Sequence, residues 1–141
     1  MRFLPHEPDS ARTLASPPVA VRRKLAESGA SLDGPQWRSL PLVARRRLFE
    51  IEVETRLQRI AFAHLIRWLK GTFLGLDTPA PAIEEAVDVP WRRELPPESS
   101  GVPSAAWRVL DVDARFALLV AESEEERRHL LGVFAATVQS A

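Results

Sequence analysis

The spacing of apolar residues along the chain predicts an all-α protein. The clearest helix follows Thr55 and Gln58, whose spacing is that of a helical capping box. Behind this box, apolar residues recur at the helical period and define the expected apolar face: Leu57, Ile60, Ala61, Leu65, Trp68 and Leu69. Gly71 is the expected end of the helix, because glycine is a common helix stop.

Similar patterns predict helices on both sides of this one. The predicted segments are residues 18–28 ending at Gly29, a short stretch carrying Trp37, a helix reaching Glu50, a helix opened by Asp111, and a last helix. Ser123 and Glu126 have capping-box spacing at the start of that last helix. Its expected apolar stripe is Leu130, Leu131, Phe134 and Val138. Residues 49–54 alternate as a strand does, but one short piece without a partner is better interpreted as a helix end.

The chain repeats part of its sequence after seventy residues. Residues 22–54 and 92–124 align without a gap, and the shared signature is W-R-x-L-x-x-x-A-R-x-x-L. The signature residues are Trp37, Leu40 and Arg45 in the first copy and Trp107, Leu110 and Arg115 in the second. A repeat with so long a period indicates a duplicated half-domain. We therefore expect two helical halves with a pseudo-twofold relation.

Composition divides the chain further. Residues 1–15 are rich in Pro, Asp and Ser and are expected to form a loose tail. Residues 16–141 form the predicted single domain, with one half over 16–74, a linker over 75–88 and a second half over 89–141.

Charge and cysteine content exclude some classes of function. The net charge is zero, which argues against general nucleic-acid binding. The two halves nevertheless differ, with thirteen Lys and Arg against seven Asp and Glu in residues 1–70, and six against twelve in residues 71–141. Such a charge asymmetry can orient a binding partner or favour head-to-tail self-association. The chain has no cysteine and no apolar run that could span a membrane, so a cytoplasmic protein is the default expectation.

The repeated Trp and Arg residues have two interpretations. Trp37 and Trp107 could form a ligand platform with Arg45 and Arg115 holding an anion. The preferred interpretation is structural: each Trp fills a core, and each Arg stacks on it or binds loop carbonyls.

Two basic clusters are the candidate partner-binding residues. They are Arg22, Arg23 and Lys24 in the first helix, and Arg45, Arg46 and Arg47 in the third. If these helices are neighbours, the clusters form one positive surface for an acidic partner or a phosphate. Solvated helix faces are the simpler alternative.

The sequence contains no catalytic signature. Gly-rich phosphate loops, zinc-protease motifs and nucleophile elbows are lacking, and the three histidines are scattered at positions 6, 64 and 129. We therefore predict no catalytic residues, no metal site and no cofactor.

The stretches LASPPVAVRRKLAESGASLDGPQWRSLPLVARRRL and WRVLDVDARFALL resemble the bacterial nitrate reductase-associated proteins. The matching positions of the first stretch are Pro18, Val21, Arg22, Lys24, Leu25, Gly29, Leu32, Trp37, Leu40, Arg45 and Leu48. Those of the second are Trp107, Leu110, Arg115, Phe116, Ala117, Leu118 and Leu119. The resemblance implies a cytoplasmic, non-enzymatic accessory protein that supports assimilatory nitrate reductase or its maturation machinery. The alternative from the residues is a module that senses a small anion or metabolite between the two halves.

Overall fold

A computed structural model describes residues 3–79 and 89–140, without the side chains of 138–140. In these ranges every regular element is a helix, which confirms the all-α prediction. The α-helices are α1 (Asp9–Arg12), α2 (Val19–Ser28), α3 (Gly34–Ser39), α4 (Leu42–Glu50), α5 (Arg56–Leu74), α6 (Ser104–Val109), α7 (Val112–Leu119) and α8 (Glu124–Ser140). Two 3-10 turns, Pro90–Arg92 and Glu98–Ser100, precede α6. None of the described helices is both long enough and apolar enough to cross a membrane.

The chain divides into two compact units. Unit 1 contains residues 7–87 with the first three residues, and unit 2 contains residues 88–141 with residues 4–6. The predicted linker falls at this division, and its residues 80–88 lie outside the described ranges.

Unit 1 is built around α5, which packs against α2 and α3, while α2 also contacts α4. Its core is apolar, and the side chains buried there include Val21, Trp37, Leu48, Phe62 and Ile66. Since the flanking helices are short and isolated short helices are marginal in water, their stability comes from this shared burial.

The ends of α5 follow from specific residues. Thr55 accepts a hydrogen bond from the Gln58 backbone N–H (3.1 Å), and the Gln58 side chain accepts one from the Thr55 N–H (3.0 Å), so the predicted capping box is present. The predicted end at Gly71 is wrong: the helix continues to Leu74 and stops at Gly75. Gly75 adopts a left-handed conformation (φ 64°), which glycine reaches without steric cost.

Replacing Thr55 with alanine is expected to lower the free energy of unfolding by about 1 kcal/mol, because the Gln58 N–H loses its partner. Equilibrium urea denaturation measures this loss. Thr72→Ala, inside the same helix and exposed, is the matched control, and it should be neutral or slightly stabilising because alanine favours helix. Equal losses for the two variants would contradict the capping role.

Residues 3–15 are folded, which corrects the predicted loose tail over 1–15 for the described part of that segment. Residues 9–12 form α1, and Leu4, Ala11 and Leu14 are buried. The Glu7 carboxylate accepts a hydrogen bond from the Val19 N–H (2.6 Å), at the first residue of α2. A carboxylate at a helix N-terminus satisfies an unpaired backbone donor and complements the helix dipole, so this contact fixes the segment.

Unit 2 is built around α7, which packs against α8 and against the 3-10 turn Pro90–Arg92. Its buried side chains include Trp107, Phe116, Leu118, Leu130 and Phe134. Asp111 caps α7 by accepting from the Ala114 N–H (2.9 Å), as predicted. Leu130 and Phe134 confirm part of the predicted stripe of α8, whereas the side chain of Val138 is outside the described part of the chain.

The sequence repeat corresponds to similar local structure over only part of its length. Helix α6 begins and ends seventy residues after α3, and α7 begins seventy residues after α4. Upstream the aligned residues differ: Leu25 is buried within α2, whereas Leu95 is exposed outside any helix. The shared geometry is therefore limited to the segment that carries the Trp, Leu and Arg residues of the signature.

Candidate functional site

The apolar surface of helix α5 is wider than the part of it that is buried. Phe62, Ile66 and Leu69 are spaced four and three residues apart and face the core of unit 1. Three members of the predicted apolar face lie outside it, since Ala61 is exposed, Trp68 is 59% exposed and Leu57 is 75% exposed. The expectation of one core stripe through these residues is wrong, because the apolar surface of α5 extends beyond the side that packs on the core.

The exposed part of the apolar surface around Trp68 forms a groove with helix α4, which we call the α4–α5 groove. Its volume is about 290 Å³, and it is lined by Pro41, Val43, Ala44, Arg47, Leu65, Trp68, Leu69 and Phe73. Val43 is 79% exposed on one wall. Trp68 and Phe73 meet edge to face on the other, with ring centroids 6.1 Å apart. The gathering of exposed apolar side chains makes this groove the candidate interaction site.

The two helices beside the groove are strongly basic. They carry seven cationic residues, Arg45, Arg46, Arg47, Arg56, Arg59, Arg67 and Lys70, against one acidic residue, Glu50. Lys70 is buried and Arg45 donates to the Leu14 carbonyl, which leaves five arginines for the surface of the two helices. Arg47 lines the groove itself, and Arg67 lines an adjoining cleft that shares Trp68. An apolar floor beside clustered arginines is complementary to a segment that is apolar on one face and acidic at its edges.

The structure separates the predicted basic residues into three groups. Arg45 is half-buried and its guanidinium donates to the Leu14 (2.7 Å) and Leu40 (3.2 Å) carbonyls, so its contacts are those of the structural interpretation rather than of a partner-binding surface. Arg22, Arg46 and Arg47 are exposed, as a binding role requires. Arg23 and Lys24 are 1% and 0% exposed, so the prediction that they belong to a partner-binding surface is corrected.

The two buried cations have structural partners. Arg23 forms an ion pair with Glu27, Nη1 to Oε2 at 2.9 Å, one helical turn along α2. The Lys24 ammonium donates to the carbonyls of Phe49 (2.7 Å) and Leu48 (3.2 Å). These carbonyls belong to the last turn of α4, where a cation satisfies acceptors left over by the helix and complements its dipole. Lys24 therefore joins α2 to the end of α4.

The repeated Trp and Arg residues bind backbone carbonyls in both units. In unit 1 the Trp37 indole N–H (2.8 Å) and Arg45 Nη1 (2.7 Å) both donate to the Leu14 carbonyl. In unit 2 the Trp107 indole N–H (2.9 Å) and Arg115 Nη1 (3.3 Å) both donate to the Arg93 carbonyl. This geometry is that of the structural interpretation, because both indole donors are occupied by backbone acceptors and both tryptophans are fully buried.

The two copies of the motif also differ. The Leu14 carbonyl belongs to a residue with φ 64°, a left-handed conformation that costs a non-glycine residue about 1–2 kcal/mol. The hydrogen bonds that Trp37 and Arg45 donate to that carbonyl stabilise the strained conformation of Leu14. The Arg115 guanidinium lies over the Trp107 ring, 4.9 Å from its centroid. Burial lowers the pKa of Arg115 and the charge of Asp111 offsets part of that effect.

The described side chains include no group of three or more His, Asp or Glu residues placed to hold a metal ion. Comparisons with protein families, with characterised proteins and with solved structures give no match to this chain. The resemblance to nitrate reductase-associated proteins therefore stays a prediction.

Sequence reasoning placed one residue of the groove, Arg47, among the partner-binding candidates and missed its aromatic wall. A signal for that wall was present: α5 has apolar residues at positions 57, 65 and 68 in addition to those at 62, 66, 69 and 73. At the helical period these positions cover a wider arc of the helix surface than a single packing face needs.

Proposed function

We propose that this chain is a non-enzymatic accessory protein that binds a protein partner through the α4–α5 groove. The observation that carries the proposal is the exposed Trp68, which lies beside Phe73 and Arg47 in an apolar groove. Tryptophan and arginine are enriched among the residues that dominate binding energy at protein interfaces.

The shape and charge of the groove favour one kind of ligand segment. Grooves between two helices accept an amphipathic helix, whose apolar anchors fill the floor while its polar edges meet the rim. The excess of arginine on α4 and α5 selects acidic residues at those edges. The proposed occupant is thus an acidic amphipathic helix of the partner.

The proposed partner is assimilatory nitrate reductase or a protein of its maturation machinery, and the proposed setting is the cytoplasm. This part of the proposal is supported by the sequence resemblance, including the matches at Trp37, Arg45, Trp107 and Arg115. We also propose that α3–α4 and α6–α7 derive from one duplicated helical unit, since both bind a carbonyl with the same Trp and Arg pair.

Co-purification from the native host grown on nitrate tests the proposal. The tagged protein is expected to recover nitrate reductase or a maturation protein in stoichiometric amount. Trp68→Ala should weaken that complex by about 2 kcal/mol, roughly 30-fold in affinity, as truncation of an interface hot spot does. Arg47→Glu should weaken it as well, and more at low salt than at high salt.

Val109→Ala is the matched control, because Val109 is an exposed apolar residue of unit 2 away from the groove residues in sequence. It should leave recovery unchanged. Recovery of the same partner by all three variants would show that binding uses another surface. Recovery only of a second copy of the chain, or of no nitrate reductase component, would contradict the proposed partner.

A further inference from the structure

A second cleft of unit 1 has side chains of opposite charge in its lining. This cleft, which we call the α5 cleft, adjoins the α4–α5 groove and has a volume of about 350 Å³. Arg67 and Trp68 line it from α5, and Leu76 and Asp77 line it from the segment that follows the helix. Small-molecule sites typically have volumes of roughly 300–1,000 Å³, so the cleft can hold a ligand larger than a single ion.

Hydrogen bonds hold the two walls of the α5 cleft together. Helix α5 ends at Gly75, whose left-handed conformation turns the chain back along the helix. The Leu76 N–H donates to the Lys70 carbonyl (3.0 Å). Nearer the middle of the helix, Arg67 Nε donates to the Thr78 carbonyl (2.9 Å). Both bonds join the segment after α5 to the helix itself, so they restrict the movement of one wall relative to the other.

The two charged side chains of the cleft are not paired with each other. A guanidinium group has five N–H donors, and the bond to Thr78 occupies one of those of Arg67. Arg67 and Asp77 are both exposed, and within residues 3–79 and 89–140 no ion pair joins them or engages either of them. The cleft therefore presents one cation and one anion to a ligand.

These opposite charges determine the chemistry of the ligand. A simple anion is attracted by Arg67 and repelled by Asp77, and a simple cation meets the reverse arrangement. An α-amino acid avoids this conflict, because its carboxylate binds the guanidinium while its ammonium group binds the aspartate. Charge-assisted hydrogen bonds of this kind are stronger than neutral ones, and a guanidinium group binds a carboxylate through paired donors.

The rest of the lining favours one kind of amino-acid side chain. Trp68 is 59% exposed and Leu76 is 38% exposed, so both offer apolar surface in the cleft. Gly71, three residues after Trp68 on the same helix, lines the cleft without a side chain to fill it. Aromatic rings pack favourably on an indole ring in offset or edge-to-face arrangements. An aromatic or large apolar side chain is therefore complementary to this lining.

We propose that the α5 cleft binds a free α-amino acid with an aromatic or large apolar side chain. Arg67 binds the carboxylate, Asp77 binds the ammonium group, and Trp68 packs on the side chain. Among the described residues, Trp68 alone lines both the cleft and the α4–α5 groove. The amino-acid site does not depend on the proposed protein partner, so the two proposals can fail separately.

An NMR titration of the purified, isotope-labelled full chain with L-phenylalanine tests this site. Saturable shifts are expected at low salt in the amide signals of residues 67–78 and in the Trp68 indole signal. Phenethylamine lacks the carboxylate and 3-phenylpropionate lacks the ammonium group. Each of these compounds should bind roughly tenfold or more weakly than phenylalanine, because each loses one set of charge-assisted hydrogen bonds.

Two substitutions test the two charges separately. Arg67→Gln should weaken phenylalanine binding roughly tenfold without weakening phenethylamine binding, since phenethylamine has no carboxylate. Asp77→Asn should weaken phenylalanine binding to a similar extent without weakening 3-phenylpropionate binding.

Arg56→Gln is the matched control for Arg67→Gln. Arg56 is an exposed arginine at the first residue of α5, eleven residues before Arg67 and thus about 16 Å away along the helix. It makes the same change of charge and should leave phenylalanine binding unaltered. Arg47→Glu, in the groove, should also leave it unaltered, although we expect this variant to weaken partner binding.

Absence of shifts in the cleft at millimolar phenylalanine would overturn the proposal. Phenethylamine or 3-phenylpropionate binding as tightly as phenylalanine would also overturn it, because one of the two charges would then have no role. Equal losses for Arg67→Gln and Arg56→Gln would assign the affinity to overall charge rather than to the cleft. Unchanged signals from the core of unit 1 establish that each variant remains folded.

Discussion

Replacing Trp37 with alanine is expected to lower the free energy of unfolding by about 3–5 kcal/mol. Trp37 is fully buried in the core of unit 1, and its indole N–H donates to the Leu14 carbonyl. The substitution leaves a large cavity and removes one of the two donors that hold Leu14 in its left-handed conformation. Equilibrium urea denaturation, followed by far-ultraviolet circular dichroism, measures the loss.

Trp68→Ala is the matched control for this prediction, since it removes the same side chain from an exposed position of unit 1. Its expected effect on the free energy of unfolding is within about 0.5 kcal/mol. Trp37→Phe should fall between the two variants, because it fills most of the cavity but lacks the donor. If Trp68→Ala proved as destabilising as Trp37→Ala, the assignment of Trp68 to an exposed part of the α5 surface would be wrong.

The contrast between Trp37 and Trp68 shows what could not be predicted from the sequence. Both belong to helices that the periodicity predicts, and both lie near leucines on the same helix. Periodicity identifies an apolar face of a helix but not the element that covers it. For α5 the covering elements are α2 and α3, and they reach only the side that contains Phe62 and Ile66.

Signals that act over a few residues were predicted more accurately. Both helix caps, the Thr55 and Gln58 box and the Asp111 cap, could be predicted from the sequence. The reason is that the start of a helix is determined within about four residues. The end at Gly75 was missed in favour of Gly71, since both are glycines and only the conformation distinguishes a stop from an internal position.

Contacts between distant residues could not be predicted from the sequence. The composition of the N-terminal segment predicts a loose tail. In the structure, however, Glu7 caps α2, and the Leu14 carbonyl accepts hydrogen bonds from Trp37 and Arg45. The same limit applies to Arg23 and Lys24, which share a basic run with the exposed Arg22. Only the packing of α2 against α4 and α5 shows that Arg23 and Lys24 face inward and that Arg22 does not.

Replacing Glu27 with leucine is expected to lower the free energy of unfolding by about 3–5 kcal/mol, because it removes the carboxylate that forms a buried ion pair with Arg23. Both side chains are almost fully excluded from solvent, so water cannot take the place of that carboxylate. Arg23 Nη1 also lies 3.5 Å from the Val53 carbonyl. Urea denaturation again supplies the measurement.

The double variant Arg23→Met, Glu27→Leu separates the cost of removing one partner of the ion pair from the net contribution of the whole pair to stability. A buried ion pair can often be replaced by apolar side chains of similar volume at little cost, since the desolvation of both charges is avoided. We therefore expect the double variant to recover most of the stability lost by Glu27→Leu alone. Glu52→Leu, which removes an exposed carboxylate of the same unit, is the control and should change stability by less than about 0.5 kcal/mol. A double variant as unstable as the single one would mean that Arg23 and Glu27 stabilise unit 1 beyond neutralising each other, through their further contacts with the surrounding backbone.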